Sequence, residues 1–231
     1  MDLIIDGIKQ AFRLLAAGDR EVVAITLLSL RISLSATLVS TALGVGAGTA
    51  IALLRFPGKR FIISAVNTGM GLPPVVVGLF VTIMLWRSGP MGTLGILYTP
   101  LAMIVAQTII ASPIITGVTL AAMQNLPGKL RLQILALGAS RPRMVWIMMK
   151  EARLPMLTGV MAGFGGVISE VGASIMVGGN IKGYTRVLTT ATVMETGKGN
   201  FALAIALGII LLVLAFAVNY ILTTVQQRSG R

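Results

Sequence analysis

The chain has 231 residues, 55% of them apolar and only 11% charged, with a mean hydropathy of +0.91. A soluble domain carries about 25% charged residues, so this chain has too few to cover a surface in water. Nineteen Lys and Arg against seven Asp and Glu give a net charge of +12. In a soluble protein that excess points to nucleic acid. Here aromatic residues are 5% and the basic residues sit in short clusters between long uncharged runs. The composition is therefore that of an all-α, polytopic protein of the lipid bilayer, with no nucleic-acid partner. His and Cys are both absent, which removes the usual zinc, copper, haem and iron–sulfur ligands along with Cys–His and Ser–His–Asp catalysis. We expect no metal, no cofactor and no catalytic residue.

Residues 1–20 open the chain. Charged residues interrupt any secretory-type apolar core, while Ile5, Ile8, Phe12 and Leu15 recur at helical spacing beside Asp2, Asp6, Lys9 and Arg13. Two readings stay open: a helix lying in the membrane interface, and a helix docked on the protein's own spans. A single membrane domain is expected over 21–227, with a tail at 228–231. A spanning helix needs about 20 apolar residues. Five segments qualify, at about 22–54, 61–86, 94–125, 154–177 and 200–225. Between the third and fourth lies a polar connection, 126–153. Within it a helical pattern over 130–137 stops at Gly138, and Ser140 and Pro142 suit the start of a second helix.

Loop charge orients these spans. Arg55, Lys59 and Arg60, then Lys129, Arg131, Arg141, Arg143, Lys150 and Arg153 less Glu151, then Arg228 and Arg231, put ten net positive charges on one face. The positive-inside rule makes that face cytoplasmic, so the C-terminus is cytoplasmic and the N-terminus outside. The outer face keeps three. No Walker A loop is present, so any ATP-driven work needs a separate ATPase.

Several positions stand out inside the spans. Pro73-Pro74 removes two backbone donors and bends or breaks the second span, at a gate or as a purely structural kink. Gly44-x-x-x-Gly48 and Gly159-x-x-x-Gly163 mark close-packing faces. Glu170 is the one acid well inside a span, which makes it a functional hypothesis by default. It either bonds backbone near Gly172 and Ser174 and holds a break, or relays protons. Lys182, Arg186 and Lys198 form a mildly basic outer rim opposed by Glu195. Thr185, Thr189, Thr190 and Thr192 form a hydroxyl-rich stretch with few charges.

Three segments carry a resemblance. Gln133 to Ser140 with the Gly138 break, followed by Glu151-Ala152-x-Leu154-Pro155, resembles the EAA loop of ABC importer permeases, although Leu132-Gln133-Ile134 stands where the E-A-A triplet belongs. Leu72-Pro73-Pro74-Val75-Val76-Val77-Gly78 is similar to the second span of molybdate, tungstate and sulfate permeases. Ser169-Glu170-Val171-Gly172-Ala173-Ser174, then Gly178-Gly179-Asn180-Ile181 and Thr185-Arg186, resembles their fourth span and the outer segment after it, closest to the tungstate branch. The order holds from about residue 26 to 225.

The resemblance implies a type I ABC importer permease of the MetI-like fold in a prokaryotic plasma membrane. It implies two copies of this chain with the path between them, cytosolic ABC ATPase subunits, and an extracytoplasmic binding protein delivering tungstate, then molybdate. Under it, Leu137, Gly138, Ala139, Ser140, Arg141 and Met144 couple to the ATPase. Pro73, Pro74, Ser169, Glu170, Gly172, Thr189 and Thr190 form the path or gate, and Lys182 and Arg186 face the binding protein. A proton-coupled anion carrier using Glu170, and sulfate as the cargo, are the alternatives.

Overall fold

A computed structural model describes residues 2–229. Met1, Gly230 and Arg231 lie outside the described residues, as do the side chains of Asp2, Leu15 and Ser229. Among the described residues there is no strand. Eleven α-helices follow one another: α1 Asp2–Ala16, α2 Arg20–Leu53, α3 Lys59–Met70, α4 Pro74–Leu85, α5 Pro100–Gln124, α6 Leu130–Ala136, α7 Arg141–Glu151, α8 Arg153–Ile168, α9 Gly172–Gly178, α10 Leu188–Gly197 and α11 Phe201–Ser229.

Three of these, α2, α5 and α11, are long and apolar enough to cross a bilayer alone. At 1.5 Å per residue α2 is about 51 Å long, which exceeds a hydrocarbon core of about 30 Å. The segments expected at 61–86 and 154–177 are not single rods. The first is α3 plus α4, bent by 103°, and the second is α8 plus α9, bent by 60°. Each half of the first is only about 18 Å long, too short to span by itself. The third span starts later than 94, because Gly92–Leu94 forms a short 3-10 turn and Thr99 caps α5, its side chain accepting from the Ala102 N–H. At the other end of the chain, helix α11 continues through Arg228 to Ser229, where a tail was expected.

Helix α5 is the hub, and glycines let its neighbours approach. A Cβ on Gly44 of α2 would stand 2.9 Å from Ile115, and one on Gly48 2.7 Å from the Thr116 carbonyl oxygen. Gly159 and Gly163 of α8 press on Val118 and on the same Ile115. Both small-residue pairs therefore pack helices within one protomer, where lipid-like side chains offer no hydrophobic gain and close contact supplies the attraction.

The basic connections share one end. Lys59 Nζ donates to the carbonyls of Ala52 and Leu54 at 3.0 Å each, and Arg131 reaches the Leu53 carbonyl at 3.5 Å. These cations meet the unpaired carbonyls and negative pole at the end of α2.

Helix α1 packs on α11, but not through its apolar stripe. The packed face is Gly7, whose Cβ would overlap Ile205, together with buried Ala11 and half-buried Leu14. Ile4, Ile5, Ile8 and Phe12 are exposed, Phe12 at 71%.

Candidate functional site

The two helix breaks meet. Helix α3 ends at Met70, and Gly71, Leu72 and Pro73 turn the chain into α4, with Pro73 at the N-cap (φ −61°, ψ 120°) and Pro74 at the first helical position. Proline suits this place because its fixed φ matches a first turn and its missing N–H is one that no helix would pair. Across from it, α8 ends at Ile168 and α9 starts at Gly172. A Cβ on Gly78 of α4 would lie 2.7 Å from Ala173 Cα, and one on Gly172 would lie 2.6 Å from Val75 Cγ2. Backbone thus touches backbone where the two second halves begin.

Polar contacts fix the α8–α9 break. Glu170 is buried, and its Oε1 accepts the Ala173 N–H at 2.9 Å. This is an N-cap bond supplied from just ahead of the helix. The Glu170 backbone carbonyl in turn accepts the Thr189 hydroxyl at 2.9 Å, tying the first turn of α10 to the break. Ser169 folds back on its own helix, donating to the Gly165 carbonyl at 2.8 Å. Its side chain lies at the protein surface, as does Pro73.

Three hydroxyls at or just before the start of α10 do not line open space in this protomer. Thr190 is fully buried; its hydroxyl accepts the Val187 N–H and donates to the Val187 carbonyl, both at 3.1 Å. Thr189 is buried on Glu170, and Thr185 is fully buried with its hydroxyl accepting the Ile181 N–H at 2.9 Å. Within this protomer these oxygens hold turns and helix starts together.

Two polar residues of this region were not singled out from sequence. Ser29 of α2 accepts the Leu188 N–H at 2.8 Å, capping α10 across 159 residues. Gln107, buried in the middle of α5, donates to Ser174 Oγ at 3.4 Å, and its Oε1 is buried without a partner. The available signal for Gln107 was an amide in the middle of a 25-residue apolar helix. Ser29 offered none, because serines fill that stretch of α2.

The rim at the N-terminal end of α2 is more neutralised than a loop-by-loop count allows. Glu21 bridges Lys182 at 2.7 Å and Arg186 at 3.7 Å. Glu195 accepts from Lys198 at 2.9 Å and from Asn200 at 3.0 Å. The Lys198 ammonium holds the Glu195 carboxyl below the usual carboxylate range, Asn200 helps, and burial opposes them. The expectation that Glu195 alone faces Lys182, Arg186 and Lys198 is thus corrected. Glu21 is far away in sequence and adjacent in space.

At the opposite end, the connection between α5 and α8 is built around Gly138. Its φ of +84° is a left-handed conformation that favours glycine. The Gly138 N–H bonds the Leu135 carbonyl at 3.0 Å, and the Ala139 N–H bonds the Ile134 carbonyl at 3.3 Å. The second, six-to-one bond is that of a Schellman stop. Ser140 occupies the N-cap of α7 with an extended backbone, yet its side chain makes no capping bond. Arg141 is exposed, and Leu137 is 88% exposed beside exposed Leu132. Unlike its exposed neighbours in the loop, Met144 points inward, packed with Met148, Ala152 and Met156 in a methionine-rich core. That spacing of four places it on the buried face of α7, so it anchors the loop. No group of acids able to hold a metal occurs among the described residues.

Broken spans converging on glycines at the centre, and a helix–glycine–helix loop on the basic end, define a membrane permease subunit of the MetI-like, type I importer fold. A chain of the MetNI methionine ABC transporter in an inward-facing form superposes with a TM-score of 0.73 at 19% identity, covering 89% of this chain and 94% of that one. The family described as binding-protein-dependent transport system inner membrane component matches residues 40–231. The chain belongs to that family, and is a multi-pass membrane protein. A probable anion ABC transporter permease protein of Haloferax volcanii is 44% identical, over 88% of this chain and 91% of its own length. The tungstate uptake system permease protein TupB of Peptoclostridium acidaminophilum is 36% identical, over 98% of this chain and all of its own.

Proposed function

We propose that the chain is the membrane subunit of an ATP-driven importer for a tetrahedral oxyanion, with tungstate the first cargo and molybdate the second. It works as a pair of identical copies with the path between them, two cytosolic ABC ATPase subunits beneath, and a binding protein that delivers the anion from outside. The names of the relatives support the oxyanion class and the permease role. The basic end formed by the α2–α3 connection and the α6–α7 loop is the cytoplasmic side, by the positive-inside rule. There the turn at Leu137, Gly138, Ala139, Ser140 and Arg141 projects an apolar tip that suits a groove on the ATPase.

The observation that carries the reading is the meeting of two broken helices with their break residues, Pro73 and Ser169, at the surface of one protomer. A second copy placed on that surface makes a gate from Pro73, Pro74, Ser169 and Gly172 of each chain, with Glu170, Thr189 and Thr190 holding its shape. Irregular backbone at membrane depth is stable only where protein or a water-lined cavity covers it. Closure of the ATPase dimer moves the α6–α7 loops and shifts the balance between inward- and outward-open states.

Uptake by proteoliposomes holding the permease, its ATPase and the binding protein tests this. Tungstate uptake should require ATP and continue with an uncoupler present. Uptake that needs a proton gradient and ignores ATP overturns the proposal. Parallel runs with molybdate and sulfate rank the cargo.

A further inference from the structure

A cavity of about 520 Å³ opens at the N-terminal end of α2, and the function proposed above does not use it. Its wall carries four cations, Arg20, Arg31, Lys182 and Arg186, and one acid, Glu21. Glu21 is committed to Lys182 and Arg186. The side chains of Arg20 and Arg31 have no ion pair or hydrogen bond among the described residues. Arg186 is mostly buried, with its Nε enclosed and unpartnered while its other nitrogens reach Glu21 and the Asn180 carbonyl. The pocket is therefore cationic and keeps donors unspent.

The location identifies the ligand. The buried face of α2 holds Ser29, Ile32, Ser33 and Ala36. Arg31 lies two residues from Ser29, which at 100° per residue is the far side of the helix. On that far side Leu27, Arg31, Leu34 and Leu38 form one stripe, and its three leucines are exposed. Arg31 lies about 16 Å along the axis from Arg20, so the stripe runs from the cationic pocket down an apolar flank of a membrane helix. A charge in that position is stable only with a partner or with access to the interface. A free dianion would use the cations and leave the leucines idle. A lipid uses both, its phosphate on the guanidinium groups and an acyl chain along the leucines.

We propose that this pocket and stripe bind one anionic phospholipid per chain, in the leaflet at the N-terminal end of α2, with Arg31 as its main phosphate contact. The full-length chain, purified in mild detergent and examined by native mass spectrometry, should retain phosphatidylglycerol in preference to phosphatidylcholine. Arg31→Gln should reduce the retained phosphatidylglycerol about tenfold, and Arg31→Lys, which keeps the charge and loses the two-pronged contact, by less. Lys182→Gln should matter least, since Lys182 already has a partner. Thermal unfolding in phosphatidylcholine alone should be unchanged by Arg31→Gln; should that variant fail to fold, Leu34→Trp blocks the stripe and should give the same loss. Equal phosphatidylglycerol retention by the wild type and these variants overturns the site. Equilibrium dialysis showing Arg31-dependent tungstate binding, with no lipid retained, overturns the lipid as its occupant. The chain has no cysteine, so Leu34→Cys adds a single thiol. A disulfide linking two copies at that thiol would give the stripe to a second protomer and also overturn the proposal.

Discussion

The two broken helices reach the same place by different chemistry. Between α3 and α4 the bend is covalent: Pro73 and Pro74 forbid a continuous ladder, and no side chain caps the new helix. Between α8 and α9 nothing covalent interrupts the chain. There the break is held by the Glu170 carboxylate on the Ala173 N–H and by Thr189 on the Glu170 carbonyl. A proline break persists in every state of a transport cycle. A hydrogen-bonded break can loosen and re-form, so we predict that the α8–α9 side moves while the α3–α4 side serves as its fixed wall.

That difference can be tested, starting with the contact the two sides share. Gly78→Ala places a methyl group 2.7 Å from Ala173 Cα, where only backbone movement gives relief. It should cost about 1–3 kcal/mol, read as a lower unfolding temperature and lost uptake. Glu170→Ala frees the Ala173 N–H and should cost about 1–2 kcal/mol. Thr189→Val removes one hydrogen bond and should cost about 1 kcal/mol. Pro74→Ala should change stability least, by less than about 1 kcal/mol, because a first-turn position accepts alanine. If Pro74→Ala proved worse than Glu170→Ala in thermal unfolding, the assignment of fixed and mobile sides would be reversed.

A smaller effect checks the rim that α10 carries. The Glu195 carboxyl titrates below its ordinary value in the folded chain, so its contribution to stability is complete above the usual carboxylate range. It is lost as pH falls through the lowered value. Glu195→Gln should flatten the acid side of the unfolding-temperature profile and leave it unchanged near neutrality apart from a constant offset.

The features that read correctly from sequence are those whose cause is local. Pro73-Pro74 announces a break, and Gly138 announces a stop, because each acts on its own backbone. Glu170 could be recognised as out of place, but the N–H it accepts became visible only in the fold. What sequence hid is long-range or specific to membranes. The pairing of Glu21 with Lys182 and Arg186 joins residues about 160 positions apart, so loop-by-loop charge counting overstated the basic rim. In α1 the apolar stripe of Ile5, Ile8 and Phe12 lies exposed, while Gly7 and Ala11 make the contact with α11. Equating apolar with buried fails where the surrounding solvent is lipid, because the tightest contacts are then made by small residues. Met144 went the other way: the helical period sets it on the inner face of α7, in a loop whose tip residues are exposed.

We propose that the Glu170 side chain shapes an ATP-driven gate and relays no protons across the membrane. Tungstate uptake by Glu170→Gln in proteoliposomes with ATP and an uncoupler addresses it directly, because glutamine keeps an oxygen for the Ala173 N–H and has no acidic proton. The account predicts uptake close to that of the wild type. Wild-type protein that assembles and transports, beside a Gln variant that assembles and does not, would contradict it.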